Sequence, residues 1–232
     1  KTWLPDDTDE EEDDKEWFWF DKEGKVFRAG VNTAAETAAN AVKYKLDEGT
    51  LVQDDKKGAA LIGKKKVNSK DYWFRNDGVM LSKFYQINGA MYYFGGSDDG
   101  SMKTGSQAIK DDAGDTYKFY FATKNSTSEN KGVGITGNKS NKLYYKGLLL
   151  TADDYKYQIA TVDGVHYFIV NKNGSIQHSC VEYKEDSDVL IDASDLAKTA
   201  FSTTEGLYKY SIDAATASAI NKVDMIDETE VM

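Results

Sequence analysis

His166, His178 and Cys180 are the only imidazoles and the only thiol in the 232-residue chain. A thiolate–imidazole pair needs surroundings that lower the thiol pKa and a third group that orients the base. No local signature around these three residues supplies either. His166 also falls at the second position of an aromatic run, Val165-His166-Tyr167-Phe168, where packing is the expected role. A single cysteine excludes an intrachain disulfide, a Cys-rich zinc site and a CxxC redox pair. Two histidines leave any imidazole-based metal site dependent on carboxylates. Carboxylates are plentiful, 39 Asp+Glu against 29 Lys+Arg for a net charge of −10, but they are placed as turn residues are. Asp21-Lys22-Glu23-Gly24 and Ser97-Asp98-Asp99-Gly100 lack the oxygen ladder, closed by a Glu at the twelfth position, that a calcium loop uses. A carboxylate pair for glycoside hydrolysis is defined by its spatial separation, which an inventory does not give. No fold able to position such a pair is apparent, and the expectation is a non-enzyme with no metal and no cofactor.

The acidic balance disfavours nucleic acid and anionic membrane surfaces, both of which need a Lys/Arg excess on the contacting face. Lys64-Lys65-Lys66 is the sole basic run and reads as a solvated strand or turn. Asp6 to Asp14 is almost wholly acidic, so residues 1–15 read as an acidic linker or disordered start. No window approaches the length of a membrane span, and Leu148 to Leu150 is the longest purely aliphatic stretch worth noting. The chain opens at Lys1 without Met, so its start says nothing about export. The sequons at Asn125, Asn138 and Asn173 are treated as chance matches.

Aromatic residues remain in excess: 15 Tyr, 10 Phe and 4 Trp, beside 19 Gly and a single Pro. That balance predicts many short strands joined by Gly-bearing turns. The aromatics recur in runs. Trp17-Phe18-Trp19-Phe20 leads into Asp21-Lys22-Glu23-Gly24, Asp71-Tyr72-Trp73-Phe74 into Arg75-Asn76-Asp77-Gly78, and Met91-Tyr92-Tyr93-Phe94 toward Asp98-Asp99-Gly100. Weaker copies stand at Lys118-Phe119-Tyr120-Phe121, Leu143-Tyr144-Tyr145-Lys146 and Val165-His166-Tyr167-Phe168. Aligned on the third residue (Trp19, Trp73, Tyr93, Tyr120, Tyr145, Tyr167), they repeat about every 20 residues with insertions. In the largest insertion, about 32–48, Ala35, Ala38, Ala39, Val42 and Leu46 share one helical face behind Asn32 or Thr33 as N-cap, which predicts a short inserted helix.

Each copy reads as a β-hairpin reversing at an Asp- or Asn-rich turn that ends in Gly. One such hairpin cannot bury its aromatic face alone, so copies must stack. The expected fold is mainly β: an elongated solenoid of stacked β-hairpin repeats over 16–179, with the short inserted helix and a small α+β C-terminal cap over 180–232. Within that cap, 192–201 reads as a capped helix and 207–212 as a strand.

The motif, most complete from Phe84-Tyr85-Gln86-Ile87-Asn88-Gly89-Ala90-Met91-Tyr92-Tyr93-Phe94 to Ser101-Met102-Lys103-Thr104-Gly105, resembles the cell-wall-binding repeats of Gram-positive surface proteins, of the choline-binding and glucan-binding types. The resemblance implies a non-catalytic module of a secreted or surface protein. It implies attachment to a cell-wall polymer, through choline on teichoic acid or through polysaccharide. In choline-binding members an aromatic cage holds the quaternary ammonium by cation–π attraction. The candidate ligand platform here is Trp17, Trp19, Trp73, Phe84, Tyr93, Tyr120, Tyr145 and Tyr167. The family's opening Trp stands only at Trp17; its counterparts are Asp71, Met91, Lys118, Leu143 and Val165, and Phe84 replaces a second Trp. The third-position row fits a platform with one wet ring face or a shared core, and exposure separates the two. The alternative function is a structural spacer or protein-interaction solenoid that has lost its ligand sites.

Overall fold

A computed structural model describes residues 3–6, 16–31, 36–126, 130–153, 155–203 and 205–221. They belong to two units, Lys1–Gly134 and Ile135–Met232. The chain is mainly β, built of antiparallel sheets with one short α-helix among the described residues.

In the first unit β1 (Trp3–Asp6) pairs with β2 (Glu16–Trp19). β3 (Glu36–Asp47), β4 (Thr50–Val67), β5 (Lys70–Arg75), β6 (Phe84–Ile87) and β7 (Ala90–Tyr93) form one sheet in the order β5-β4-β3-β6-β7. β8 (Gly105–Lys110) and β9 (Thr116–Phe121) form a hairpin. Two kinds of reversal join these strands. Glu48-Gly49, Asn68-Ser69 and Asn88-Gly89 are two-residue turns with positive φ at both positions, the geometry whose twist matches paired strands. The Asp- or Asn-led loops are longer. Asp21 and Asp111 each receive the N–H of a glycine three residues on, Gly24 and Gly114, and their own N–H groups bond to Lys25 and Asp115. The side chains of Asp21 and Asp111 then accept from the N–H groups of Lys25 and Asp115, at 2.8 Å in both cases. An Asp at that position therefore specifies the loop by satisfying a donor that no strand reaches.

The aromatic copies are joined by a regular hydrogen-bond pattern. The third-residue carbonyl closes each of the first three copies on itself: Trp19 O accepts from Phe27 N, Trp73 O from Leu81 N and Tyr93 O from Lys103 N. The first-residue carbonyl reaches the next copy: Trp17 O accepts from Met80 N, Asp71 O from Met102 N and Met91 O from Gly134 N, each at 2.8 Å. Successive hairpins of the first unit are thus stitched at equivalent positions. Their shared core comes from the fourth residue. Phe74, Phe94 and Phe121 are fully buried, with Tyr72, Tyr92 and Phe119 of the second position beside them.

The inserted helix is not formed. Residues 36–47 are strand β3, paired with β4 on one side and β6 on the other; the proposed caps Asn32 and Thr33 lie outside the described residues. The alanines that suggested a helix carry only a weak preference, and pairing along both edges outweighs it. The Glu48-Gly49 reversal then folds β4 back along β3. Of the 1–15 segment, residues 3–6 form β1 and the rest lie outside the described residues. Lys64-Lys65-Lys66 lies on β4, with Lys64 and Lys66 exposed and Lys65 half-buried.

The second unit begins with a meander, β10 (Gly137–Lys139), β11 (Lys142–Tyr145) and β12 (Leu148–Leu149). A second meander follows, β13 (Tyr157–Thr161), β14 (Tyr167–Asn171) and β15 (Ile176–Gln177), and then a hairpin, β16 (Glu182–Glu185) and β17 (Asp188–Asp192). Ile169, Tyr183, Ile191, Phe201, Ile212 and Ile220 are among the buried residues of its main cluster. The expected helix over 192–201 reduces to one 3-10 turn, Lys198–Ala200. Asp192 accepts from Ser194 N at 3.0 Å, a local turn that ends β17 instead of capping a helix. The expected strand over 207–212 is a pair of turns after Gly206, with only Ile212 bridging to Tyr167. The helix that does form, α1 (Ala214–Ile220), is capped by Asp213, whose carboxylate accepts from Thr216 N at 2.7 Å.

Candidate functional site

The structure divides the eight aromatic candidates by what covers them. Trp19 and Trp73, each 6% exposed, and Phe84, 2% exposed, are core residues. Strand β4, which lies between the first two copies, explains the two tryptophans. Its Val67 shares a cluster with Trp19, Phe27 and Met80, and its Ile62 shares one with Trp73 and Phe94. Lysines of the same strand face both indoles. Lys65 Nζ lies 4.0 Å from the Trp19 ring and 4.5 Å from Phe27, and Lys64 Nζ lies 5.9 Å from Trp73. A cation–π contact is worth roughly 0.5–2 kcal/mol, and at Trp19 the chain's own ammonium makes it. Asp71, at the second copy's opening position, is held by Lys64 at 3.7 Å and Lys131 at 3.3 Å.

The remaining candidates keep exposure. Trp17 is half-buried beside the Trp19 cluster and donates its indole N–H to Asp98 at 3.2 Å. Tyr93, Tyr120 and Tyr167 are half-buried, and Tyr145 is 40% exposed with Lys146 Nζ 5.3 Å from its ring. Tyr167 donates its hydroxyl to the Gly164 carbonyl.

Phe84 and Tyr93 meet in a groove of 670 Å³ within the first unit. They face each other across the β6–β7 pair, ring centroids 4.6 Å apart, and Phe119 and Phe121 of β9 back them at 5.1 and 6.2 Å. Around this floor stand Lys43 and Lys45 of β3, Asp54, Lys83, Gly96, Ser97, Lys110 and Asp112. Lys43 pairs with Asp54 and Lys45 with Asp47, both at 3.5 Å. The lysines are the part that sequence reading missed. Had 36–47 been read as a strand, Lys43 and Lys45 at period two would have appeared on one face. Nothing local joins them to Lys83 or Lys110, which sheet pairing brings together.

The Gly96–Ser97 wall is held by Asp99. Burial alone would push the Asp99 carboxyl up, but hydrogen bonds from Lys103 and Ser101 outweigh it and hold its pKa below the usual 3.8. Asp99 N also donates to the Gly96 carbonyl at 3.0 Å. A carboxylate whose pKa is lowered on folding stabilises the fold above its unfolded pKa, and that contribution is lost as pH falls through the folded pKa. Acid titration below about pH 4 is therefore expected to loosen the first unit. Asp99→Asn, already uncharged, should show a flatter acid limb in pH-dependent thermal melting; an unchanged limb would remove Asp99 from this role.

A second groove, of 530 Å³, lies in the second unit between Asn138, Asn141, Leu207, Lys209 and Tyr210. His178 stacks on Tyr210 there at 3.7 Å, and His166 stacks on Tyr208 at 3.9 Å with its Nδ1 2.6 Å from Asp163. Both imidazoles are packed against tyrosine rings. None of the eight candidates lines this groove. Among the described residues no cluster of three or more His, Cys, Asp or Glu side chains is arranged to hold a metal, and no helix is long and apolar enough to cross a membrane.

No protein-family model and no curated protein matches the chain. Among solved structures it is similar to choline binding protein F from Streptococcus pneumoniae, crystallised with a tetrasaccharide-pentapeptide peptidoglycan analogue. That likeness has 20% identity and a TM-score of 0.37, covering 81% of this chain and 54% of that one. It is similar to CbpJ from Streptococcus pneumoniae TIGR4 at 17% identity and a TM-score of 0.36, covering 75% and 66% of the two chains. A third likeness is to CbpF in complex with ipratropium, at 16% identity and a TM-score of 0.30, covering 78% and 75%. The chain therefore spans about half the length of the first of these structures and about two thirds of the second.

Proposed function

We propose that the chain is a non-catalytic module that attaches a secreted or surface protein to a cell-wall polymer, and that it holds a glycan in the Phe84–Tyr93 groove. The observation that carries this reading is an aromatic pair in a groove lined by four lysines and two carboxylates. Tyr93 offers a partly wet ring, backed by Phe84 and Phe121, on which a sugar face can stack. A quaternary ammonium fits that groove poorly. The lysine ammonium groups lining it repel a second cation, and that repulsion works against what a cation–π contact returns. At Trp19 the cation position is already taken by Lys65. Between choline and polysaccharide, the residues thus favour polysaccharide. The spacer reading draws on the burial of Trp19 and Trp73, which leaves the first two copies without an open third-position ring.

The test is retention on purified Gram-positive cell walls with and without excess free choline, comparing the unmodified chain with Tyr93→Ala. Retention that resists choline and weakens about tenfold in Tyr93→Ala, a loss of ~1.4 kcal/mol, is expected. Release by choline would return the function to cation recognition, and no retention at all would favour the spacer.

A further inference from the structure

Resting on the reading of the Phe84–Tyr93 groove as a glycan site, we propose that its lysine rim is an oxyanion subsite, so that the polymer it takes carries phosphodiesters beside its sugars. In a chain with a net charge of −10, this groove gathers Lys43, Lys45, Lys83 and Lys110 against only Asp54 and Asp112. Lys43 and Lys45 are answered by carboxylates, Asp54 and Asp47. Lys83 and Lys110 make no ion pair among the described residues, so two lysines of the groove lining stand without a described ion-pair partner.

Lys83 is placed with some insistence. It has φ +60, a left-handed conformation that side chains other than glycine, asparagine and aspartate seldom adopt. Two backbone hydrogen bonds hold it there, Lys83 N to the Gly95 carbonyl at 2.8 Å and Phe94 N to the Lys83 carbonyl at 2.9 Å. Strain maintained by the surroundings is a mark of a placed functional group. The Gly96–Ser97 wall, kept in place by Asp99, completes the rim and adds the Ser97 hydroxyl as a neutral donor. Lysines that bind as point charges suit a phosphate group, whose oxygens they can meet from several directions. The aromatic floor and the cationic rim together read a sugar ring next to a phosphodiester.

Binding to immobilised poly(glycerol phosphate) and to neutral dextran, followed over a salt series, tests this with the unmodified chain, Lys83→Gln/Lys110→Gln, Lys110→Gln alone and Tyr93→Ala, all checked for an unchanged melting transition. The double variant is expected to lose about tenfold in affinity for poly(glycerol phosphate), with a shallower salt dependence, while its binding to dextran is kept. Lys110→Gln alone, at an exposed site, should give part of that loss, which keeps the test informative if the change at Lys83 disturbs folding. Inorganic phosphate that displaces the polymer at millimolar concentration would identify a site for the free oxyanion; failure to displace it would make the polymer-borne phosphodiester the ligand. Equal poly(glycerol phosphate) affinity in the double variant and the unmodified chain overturns the oxyanion subsite. Tyr93→Ala separates the two readings: loss of dextran binding in Tyr93→Ala beside unchanged lysine variants leaves the glycan reading standing and removes the subsite. Lysine-dependent polymer binding that Tyr93→Ala leaves intact retains the subsite and removes the glycan stack.

Discussion

Trp73→Ala is expected to lower the unfolding free energy by about 3–5 kcal/mol, the usual cost of truncating a large buried aromatic side chain. Domains of this kind are typically stable by only about 5–15 kcal/mol, so the urea midpoint should fall steeply. Trp73 is buried among Ala41, Ile62, Leu81, Tyr85, Ile87, Tyr92 and Phe94, with Tyr92 and Phe94 rings at 6.1 and 6.3 Å. The cluster draws on β3, β4, β6 and β7, so the void left by alanine cannot be closed by moving one element. Trp73→Phe should cost much less. Among the described residues the indole N–H of Trp73 has no hydrogen-bond partner, so phenylalanine gives up no hydrogen bond and loses only part of the volume. A ligand platform behaves in the opposite way: its truncation reduces wall binding and leaves the unfolding midpoint in place. Trp73→Ala with an unmoved midpoint and lost binding would therefore show that the indole is open in solution.

The contrast between Trp73 and Tyr93 also shows how far the residues could be read in advance. The repeat, its hairpins and their turns were legible because each turn is specified locally, by Asn88-Gly89 or by Asp21 accepting from its own loop. The core was legible too, but at a different register. The fourth residue of the run is Phe in five of six copies, Phe20, Phe74, Phe94, Phe121 and Phe168, and the last four are 0% exposed. Alignment on the third residue put the emphasis one position early. In a strand, a shift of one residue exchanges the two faces. Whether a third-position ring is covered depends on β4, which lays Ile62, Lys64, Lys65 and Val67 over Trp73 and Trp19 and leaves Tyr93 partly open. That outcome needs the partner strand to be known, and the alanines of 35–39 pointed to a helix instead. The lysine rim was beyond reach for a related reason: Lys43, Lys83 and Lys110 are far apart in sequence, and only the strand order β3-β6-β7 and the hairpin β8–β9 bring them to one groove.

Gly137→Ala is expected to destabilise the second unit by about 2–3 kcal/mol or more while leaving the groove of the first unit able to bind. Gly137 has φ +107, where any side chain is strained, and a Cβ there would lie 2.5 Å from the Leu207 carbonyl oxygen and 2.9 Å from Leu207 Cβ. The strain alone is worth about 1–3 kcal/mol. The collision adds to it, because a carbonyl oxygen of the main chain cannot swing aside as a side-chain tip can. The same carbonyl accepts Asn138 N at 2.6 Å, and the Asn138 amide donates to the Lys209 carbonyl at 3.0 Å. Moving Leu207 away from a new methyl group thus also breaks the clasp between β10 and the 206–210 turns. Gly164→Ala supplies the comparison: its φ is +74 but nothing lies within 4 Å of the added Cβ, so only the backbone term, about 1–2 kcal/mol, applies. Hydrogen exchange resolved by segment measures both. Gly137→Ala should lower protection across 137–221 well beyond the Gly164→Ala effect and leave 84–93 protected, with wall retention near that of the unmodified chain. Retention lost together with protection of the second unit alone would place the ligand contacts there, at the His178–Tyr210 groove, and not on Tyr93.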